Sequence, residues 1–565
     1  MSYSIIHASD GRRALYALLR RLHFYIGLFI APFIFIAALT GTLYVLTPQI
    51  ENVFYADALT ARPRGEPKPL SEQIAAARAY VGESVKIYAV RPAPDVTDTT
   101  RVQFFFPDAG ESESRALFID PYSLQIKGDM TVYGTTGALP LRMWLDKLHR
   151  GLLLGDPGRL YSELAASWLW VAALGGLLLW QGGRTKNKAK RNHFALVRHW
   201  HLTLGLILLG GLLFFSVTGL TWSQWAGNNI HKMRSEFGWL TPQVRVALEQ
   251  SQTEKPDAHA EHHDGLSNEE MADRSPGRPL RIDNNSVNED WDRVLDAART
   301  AGLNAAKVEL RQPLKEGNAW TVTEVNRSWP TQVDAVSVNP HNFSIVDRVR
   351  FSDFPLVAKL TRWGVDAHMG VLFGLPNQLI LTAFGLGLCV MILLGYRMWW
   401  LRRPVAPDAR SAQTLVTSWL ALPLRWKAGL IIPALVLAYS LPAMGASLLL
   451  FMLFDVMRQE QRAVRVLRSP VKKKKAQASL SAARKKEKRH FLTAVLIVAL
   501  IAGSVMTRAI IGGALDAYAL PFSEWSLQLY VTHVMMIALY TTVFTALFSV
   551  PLWYFFLGEK AESKS

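Results

Sequence analysis

The sequence predicts an integral membrane α-helical bundle of about eight spans, with two α+β extracytoplasmic modules inserted between spans 1 and 2 and between spans 3 and 4. Three observations predict it. Half of the 565 residues are hydrophobic and only 19% are charged, less charge than a soluble chain of this size carries. The apolar residues gather in runs at about 24–47, 164–181, 202–226, 375–396, 428–454, 491–507 and 526–557. The clear runs approach or exceed the roughly 20 residues a helix needs to cross about 30 Å of hydrocarbon. Finally, the basic residues behind the net charge of +17 sit beside these runs rather than on a soluble face, which argues against a nucleic-acid partner and for contact with lipid.

Lys and Arg collect on the cytoplasmic side of membrane proteins. The clusters Arg12–Arg21, Arg184–Arg198, Arg397–Arg410 and Lys472–Arg489 therefore order the chain. Residues 1–22 form a cytoplasmic N-terminus, 23–47 span 1, and 48–145 the first outer module. An outer helix end and span 2 take 146–181, a cytoplasmic loop 182–198, and span 3 199–226. The second outer module is 227–362, followed by an outer helix end and span 4 at 363–400. A cytoplasmic segment and spans 5–6 fill 401–457, a basic linker 458–490, spans 7–8 491–556, and a cytoplasmic tail 557–565. The first run is too long for a signal peptide and no small-x-small site follows it, so it reads as a retained span of a bacterial inner membrane protein. The single cysteine, Cys389, excludes an internal disulfide framework and reads as a small buried residue of a span.

An internal duplication carries the chemistry. Span 1 reads LHFYIGLFIAPFIFIAALTG from Leu22, and span 3 reads WHLTLGLILLGGLLFFSVTG from Trp200. Each has His, then Gly four residues on (His23/Gly27, His201/Gly205), and each has Thr-Gly whose glycine lies 18 residues past the histidine (Gly41, Gly219). WLDKLHRGLLLGDPG from Trp144 introduces span 2, and WGVDAHMGVLFGLPN from Trp363 introduces span 4. Both have Trp, His five later, Gly-x-x-x-Gly and Pro, and a terminal Trp lies 31 residues past each histidine (Trp180, Trp399). The unit span–module–span thus occurs twice in one orientation. Parallel repeats relate by an axis along the membrane normal.

Such an axis lets His23 face His201 near the cytoplasmic side, and His149 face His368 near the outer side. Two opposed neutral imidazoles supply the axial ligands of one haem iron, so the four histidines read as ligands of two haems. Gly27 and Gly205, one turn from their histidines, would leave room for a porphyrin, and Gly151/Gly155 and Gly370/Gly374 would do so on the outer side. The plainer reading makes each histidine an interfacial polar residue and each glycine a packing residue. His199 is a rival to His201. His533 in the last run reads as a packed or proton-handling residue, and His259, His262 and His263 as part of a solvated acidic loop. Asp146 and Asp366 sit close to the outer histidines, able to orient an imidazole or simply to meet the interface.

The modules repeat as well. SEQIAAARAYV from Ser71 is a helix candidate, followed by strand-like VQFFF from Val102 and ALFID from Ala116, then a turn at Asp120-Pro121. In the second, DWDRVLDAARTAG from Asp290 is helical, AWTVTEV from Ala319 is strand-like, and VSVNPHNFSIVDRV carries Asn339-Pro340. This helix-then-hairpin order with a (D/N)-P turn resembles the PepSY domain. Together with the histidine motifs, residues 15–403 resemble the PepSY-associated transmembrane family, of the ferric-siderophore reductase type.

The resemblance implies a membrane reductase holding two b-type haems on His23, His201, His149 and His368. It implies a haem-dependent ferric reductase that passes electrons across the inner membrane to a periplasmic ferric-siderophore and so releases iron. Some 160 further residues with about four more spans depart from the family's four-span form and leave the donor open between quinol and a cytoplasmic reductase. No G-x-G-x-x-G follows a predicted strand, so a built-in nicotinamide or flavin domain is not expected. No Ser-His-Asp, H-E-x-x-H or P-loop arrangement supports a hydrolase or ATPase. Two alternatives remain: a PepSY-type membrane-anchored regulator of a periplasmic protease, and a siderophore or metal permease. The regulator gives the four histidines no reason to pair, and the permease is favoured by the eight spans and by His533.

Overall fold

The computed structural model describes residues 2–106, 110, 112–182, 192–248, 287–402, 414–467, 476–518 and 522–557. The chain divides into two compact units. A helical unit comprises residues 1–40, 149–229 and 383–565, and a sheet unit comprises 41–148 and 230–382.

Five helices among the described residues are long and apolar enough to cross a membrane, so this is a multi-pass membrane protein. They are Gly11–Val45, Asp156–Gly182, Leu375–Leu401, Lys485–Ile511 and Leu527–Tyr554, and the pair His193–Ile207 and Leu209–Thr221, bent by 58°, makes a sixth if it is one span. These carry expected spans 1, 2, 4, 7, 8 and 3 in that order. Where the sequence places spans 5 and 6, the chain forms helices Leu424–Ser440 and Pro442–Leu467, of which Pro442–Met457 is apolar but short. The segment expected as a basic linker is helical at both ends, through Leu467 and from Ala476. Its Ala, Lys, Arg and Glu content favours helix over coil.

Small residues set the packing of the helical unit, because apolar side chains gain nothing by leaving lipid for one another. A Cβ built on Gly219 would lie 3.2 Å from the Ala166 methyl, and Ser216 Oγ donates to the Ala166 carbonyl at 2.7 Å, so spans 2 and 3 meet backbone to backbone. Gly211 leaves room for the Phe384 ring of span 4. Glu163 is fully buried in span 2, yet its charge is spent: its two oxygens accept from the backbone N–H groups of Trp225 and Ala226 at 3.0 Å each, capping helix Trp225–Glu236.

The sheet unit is a single eight-stranded antiparallel sheet: β1 Ile87–Arg91, β2 Thr100–Phe104, β3 Glu113–Ile119, β4 Ile126–Tyr133, β5 Val308–Arg311, β6 Trp320–Glu324, β7 Ala335–Val338 and β8 Ile345–Val349, in the order β4-β3-β2-β1-β5-β6-β7-β8. The sequence predicts two modules; the structure joins two like halves through β1 and β5, with Val90 opposite Leu310. Each half contributes one helix, Leu70–Val81 and Val287–Thr300. Ile74, Ala77, Trp291, Val294 and Ala298 from these helices share one buried core with Val90, Val102, Leu310 and Val322 from the strands. Asp292 of the second helix accepts from the Leu70 and Ser71 N–H groups at 2.8 and 3.0 Å, so one half caps the helix of the other. The (D/N)-P turns are real in both halves. Asp120 accepts from the Tyr122 N–H and Asn339 from the His341 N–H, both at 2.9 Å, and Leu124 and Phe343 follow with left-handed φ of 60° and 57°.

Candidate functional site

His23 ends the first helical stretch of span 1, and the next turn, Ile26–Ile30, is a π-helix. A π turn inside an α-helix re-aims the side chains beside it and is common at functional sites. The His23 ring lies on span 2. A Cβ built on Gly176 would be 3.3 Å from His23 Cε1, and the backbone of Ala172 faces the ring. His23 Nδ1 is buried and has no aligned hydrogen-bond partner.

His201 is seated in the same way on span 4. Its Nδ1 lies 2.9 Å from the Met391 carbonyl, and a Cβ on Gly395 would be 3.5 Å from its Cε1. A carbonyl can only accept, so Nδ1 carries the proton and Nε2 keeps its lone pair. Ala172 and Met391 both lie 23 residues past the second-pair histidine of their half (His149, His368), and Gly176 and Gly395 both lie 27 past it. The two seats are therefore equivalent positions of the duplication, down to the backbone carbonyl and the glycine. The two imidazoles are also near enough to interact electrostatically.

These four seat residues escape a sequence reading that looks for glycines on the histidine's own helix. The signal is present: Gly176 and Gly395 each precede the terminal Trp of their span by four residues. Of the own-helix glycines, Gly27 faces open space, with no heavy atom within 4 Å of where a Cβ would stand, while Gly205 faces Met391 Sδ at 3.6 Å.

His149 belongs to the helical unit. Its Nδ1 lies 3.0 Å from Thr40 Oγ1, which itself donates to the Ile36 carbonyl at 2.7 Å. The hydroxyl proton being committed, Thr40 accepts from Nδ1–H, and the ring also meets the Ala37 backbone. Tyr161 donates to the His149 carbonyl, which ties the helix end to span 2. His368 belongs to the sheet unit, at the end of helix Leu356–His368, whose Ala367 carbonyl accepts from the Asn377 amide at 3.0 Å. A few residues past these two histidines, Gly155 and Gly374 have φ of 62° and 58° and nothing crowding them. Left-handed backbone explains both as turn residues, so porphyrin clearance is not needed to account for them.

The remaining candidates separate clearly. His199 is exposed and its ring lies beside Trp200, 5.9 Å between centroids. His533 is buried, with Nδ1 2.8 Å from the Leu529 carbonyl of its own helix and the Trp525 ring 4.8 Å away. Cys389 is buried, with Sγ near the Phe35 carbonyl. His259, His262 and His263 lie outside the described residues. Asp366 is fully buried between Arg327 and Arg362, at 3.9 and 3.5 Å. Asp146 is half-buried on helix Pro140–Gly151.

Among the described residues no three His, Cys, Asp or Glu side chains gather as an ion site. Haem asks for less: two axial nitrogens, a flat clearance and dry walls. His201 has a defined tautomer that leaves Nε2 its lone pair, and the His23 ring meets the Ala172 backbone in the equivalent seat. Gly27 leaves open space one turn along from His23.

The chain matches known proteins in two stretches. Residues 20–402 match the family described as PepSY-associated TM region. Residues 481–560 match a family described as protein of unknown function (DUF2534). Over 74 residues the chain is 46% identical to the uncharacterized protein YnaJ of Escherichia coli strain K12, covering 13% of this chain and 87% of YnaJ. The YnaJ proteins of two further Escherichia coli strains match to the same extent. The helices Ala476–Tyr518 and Leu527–Leu557 carry the second family match. The first match covers well over half of the residues, and the chain belongs to the PepSY-associated TM family.

Proposed function

We propose that this chain is a di-haem oxidoreductase of the bacterial inner membrane, passing electrons outward to a ferric siderophore and releasing its iron. The observation that carries the reading is the duplicated seat: two histidines on equivalent helices, each laid over an equivalent glycine and facing an equivalent backbone carbonyl. Packing alone gives no reason to repeat such a seat around a buried imidazole. Haem, when bound, supplies a reversible one-electron carrier.

The protein's share of the work is ligation and orientation. Met391 holds the His201 proton on Nδ1 and so leaves Nε2 its lone pair. Thr40 holds the His149 ring at Nδ1. Gly176 and Gly395 let the rings lie flat on their neighbouring spans, and the apolar spans keep water from the ligands. His149 and His368 are assigned as the second ligand pair. Helices Leu424–Ser440 and Pro442–Leu467 would complete an eight-span bundle with both termini in the cytoplasm, as the Lys and Arg clusters require. Electrons enter from quinol or from a cytoplasmic reductase. One electron converts Fe(III) to Fe(II), which hard oxygen chelators hold far more weakly, and the metal is freed.

The test is a reduced-minus-oxidised optical spectrum of the purified full-length protein with a pyridine haemochrome count. Low-spin b-type bands and about two haems per chain are expected. His23→Ala and His201→Ala should each remove the same haem, and His149→Ala and His368→Ala the other. A colourless, folded preparation from haem-replete cells would overturn the reading and leave a protease regulator or a permease.

A further inference from the structure

Near the junction of the two half-sheets, converging arginines outnumber the carboxylates around them. The loop after β4, Thr135–Gly137, is held by three of them. Arg91 Nη2 donates to the Thr135 carbonyl at 2.8 Å, Arg327 donates to Thr135 Oγ1, and Arg101 Nη1 donates to the Gly137 carbonyl at 3.1 Å. Gly137 has φ of 60°, and a Cβ there would strike Arg91 Nη1 and lie 3.3 Å from Arg101 Nη1. The glycine therefore lets two guanidinium groups crowd one peptide.

Neutralisation is uneven. Glu309 is shared between Arg91 and Arg311. Asp366 is shared between Arg327 and Arg362 at 3.9 and 3.5 Å, and neither of its oxygens accepts a hydrogen bond. Arg101 makes no ion pair among the described residues; it lies on the Phe118 ring, 4.9 Å from guanidinium carbon to centroid, and Asp98 acts on it only from beyond ion-pair distance. Arg142 pairs with Glu51, which also acts on Arg101. Six guanidinium groups, of Arg91, Arg101, Arg142, Arg311, Arg327 and Arg362, thus face four carboxylates, of Glu51, Asp98, Glu309 and Asp366. Burial, and then the crowding by Arg91, pulls the Arg101 guanidinium down to about 10, and burial with Arg362 does the same to Arg327.

Aromatic surface adjoins this excess charge. Trp329, two residues from Arg327, is 58% exposed and packs beside Trp363 and Phe373 at 5.8 and 6.1 Å. Trp363 follows Arg362 directly, and Phe373 is 56% exposed. Cations beside open ring faces suit a ligand that is both anionic and flat.

We infer that the arginines around Thr135–Gly137 and the Trp329 face form the substrate site, and that the substrate class is an anionic ferric chelate with carboxylate or catecholate donors, not a neutral hydroxamate chelate. This deepens the proposed reductase reading and rests on it for the word substrate; the binding itself does not. The ligand's negative charge supplies the ion pair that Arg101 lacks and the full counter-charge that Arg327 and Arg362, sharing Asp366, have only in part. Its rings, where it has them, lie on Trp329.

Gallium(III) chelates separate binding from reduction, because gallium(III) takes up no electron under these conditions. Full-length protein in nanodiscs would be titrated with the gallium complex of a tricatecholate, the gallium citrate complex and a neutral gallium trihydroxamate, read by tryptophan quenching and calorimetry. The anionic complexes should bind at least about tenfold more tightly than the neutral one and lose affinity as salt rises. Arg101→Gln should weaken the anionic complexes by about tenfold and leave the neutral one unchanged, and Arg101→Lys should retain most of the affinity. Tricatecholate without citrate binding would narrow the class to ring-bearing chelates. Equal binding of neutral and anionic complexes, or no salt dependence in the wild-type protein, overturns the inference even if Arg101→Gln fails to fold. Tight anionic binding in a protein that carries no haem would sink the reductase reading and leave the binding site standing.

Discussion

Spans 1 and 3 carry one pattern and are supported in two different ways. Span 1 has Tyr25, Phe29 and Phe33 at four-residue intervals, a stripe on one face; the equivalent positions of span 3 are Thr203, Ile207 and Gly211. The stripe is where the residues beyond the family region attach. Tyr25 is fully buried and donates to Asp455, also fully buried, whose second oxygen accepts from the Val416 N–H at 3.0 Å. Phe29 stacks on Phe451 at 5.2 Å and meets Phe454 edge-on at 4.9 Å, and Phe33 lies 6.4 Å from Phe548 of helix Leu527–Leu557. Span 3 has no such stripe, and Ile207 is 72% exposed. Even the breaks differ: the turn that is a π-helix at Ile26–Ile30 corresponds to the turn at which span 3 bends by 58°. The histidine seats have kept their symmetry while the outer faces have lost it. Selection for the seats and selection for packing partners therefore act on different faces of the same helices.

The largest effect should come from spoiling one seat at a time. A Cβ at Gly176 or Gly395 already stands 3.3 or 3.5 Å from an imidazole carbon. Leucine there must push the ring off its carbonyl. Gly176→Leu and Gly395→Leu should each reduce the haem count from about two to about one per chain. If the two seats serve one haem, as proposed, the same spectral component should vanish in both. Loss of different components would mean that His23 and His201 do not work as a pair.

Next in size is the seam of the sheet unit, where the two halves share a charge. Burial alone would raise the Glu309 carboxyl, but Arg91 and Arg311 outweigh it and hold it at about 2. A depressed carboxylate stabilises the fold above its unfolded value of about 4.3, and that contribution fades as pH falls from there through about 2. Glu309→Gln leaves Arg91 facing Arg311 with no counter-charge and should cost about 3–5 kcal/mol in a thermal or denaturant unfolding measurement. The acid-induced loss between roughly pH 5 and 2 should shrink in the variant. An unchanged midpoint would mean that the halves are not coupled through this triad.

How much of this is legible beforehand follows from range. The histidine spacing, both module helices, the hairpins and the Asp120 and Asn339 turns are local patterns, and all stand in the sequence as periodicity or a short motif. The β1–β5 junction is not local: Val90 and Leu310 belong to different modules, and strands of five and four residues, buried on both faces, give no hint of their partner. Arg101 and Arg327 look like ordinary surface arginines until that junction folds them towards one loop. The Gly176 and Gly395 seats are readable by carrying the repeat offset one step further along spans 2 and 4. The stripe Tyr25-Phe29-Phe33 is readable too, but an aromatic stripe names a contact without naming its partner. Nothing in the composition of 481–560 distinguishes a second family region from two more spans.

A smaller effect is expected where the added helices grip span 1. Asp455→Asn keeps the shape and removes the charge that receives the Tyr25 hydroxyl and the Val416 N–H. A loss of about 1–3 kcal/mol is expected, read as a lower melting temperature. Tyr25→Phe should be non-additive with it in a double-mutant cycle. Additivity would mean that the two groups are neighbours without being partners, and that the stripe holds by its rings alone.

The smallest change is the most discriminating about what the seats are for. Gly27 faces open space and Gly205 faces Met391 Sδ at ordinary contact distance. In a protein without cofactor, Gly27→Ala meets nothing and should be neutral or stabilising by up to about 1 kcal/mol, since glycine costs that much inside a helix. Gly205→Ala should be close to neutral. If the space over Gly27 is there to admit a porphyrin, the methyl group intrudes only when haem is bound. Gly27→Ala should then lower haem occupancy or shift the low-spin bands while leaving the apoprotein's melting temperature unchanged or raised. Opposite signs in the two measurements are hard to produce by a packing defect, which lowers both. A variant that retains full haem content and spectrum would assign Gly27 to the π turn at Ile26–Ile30, and the asymmetry between the two halves would then begin at the histidines themselves.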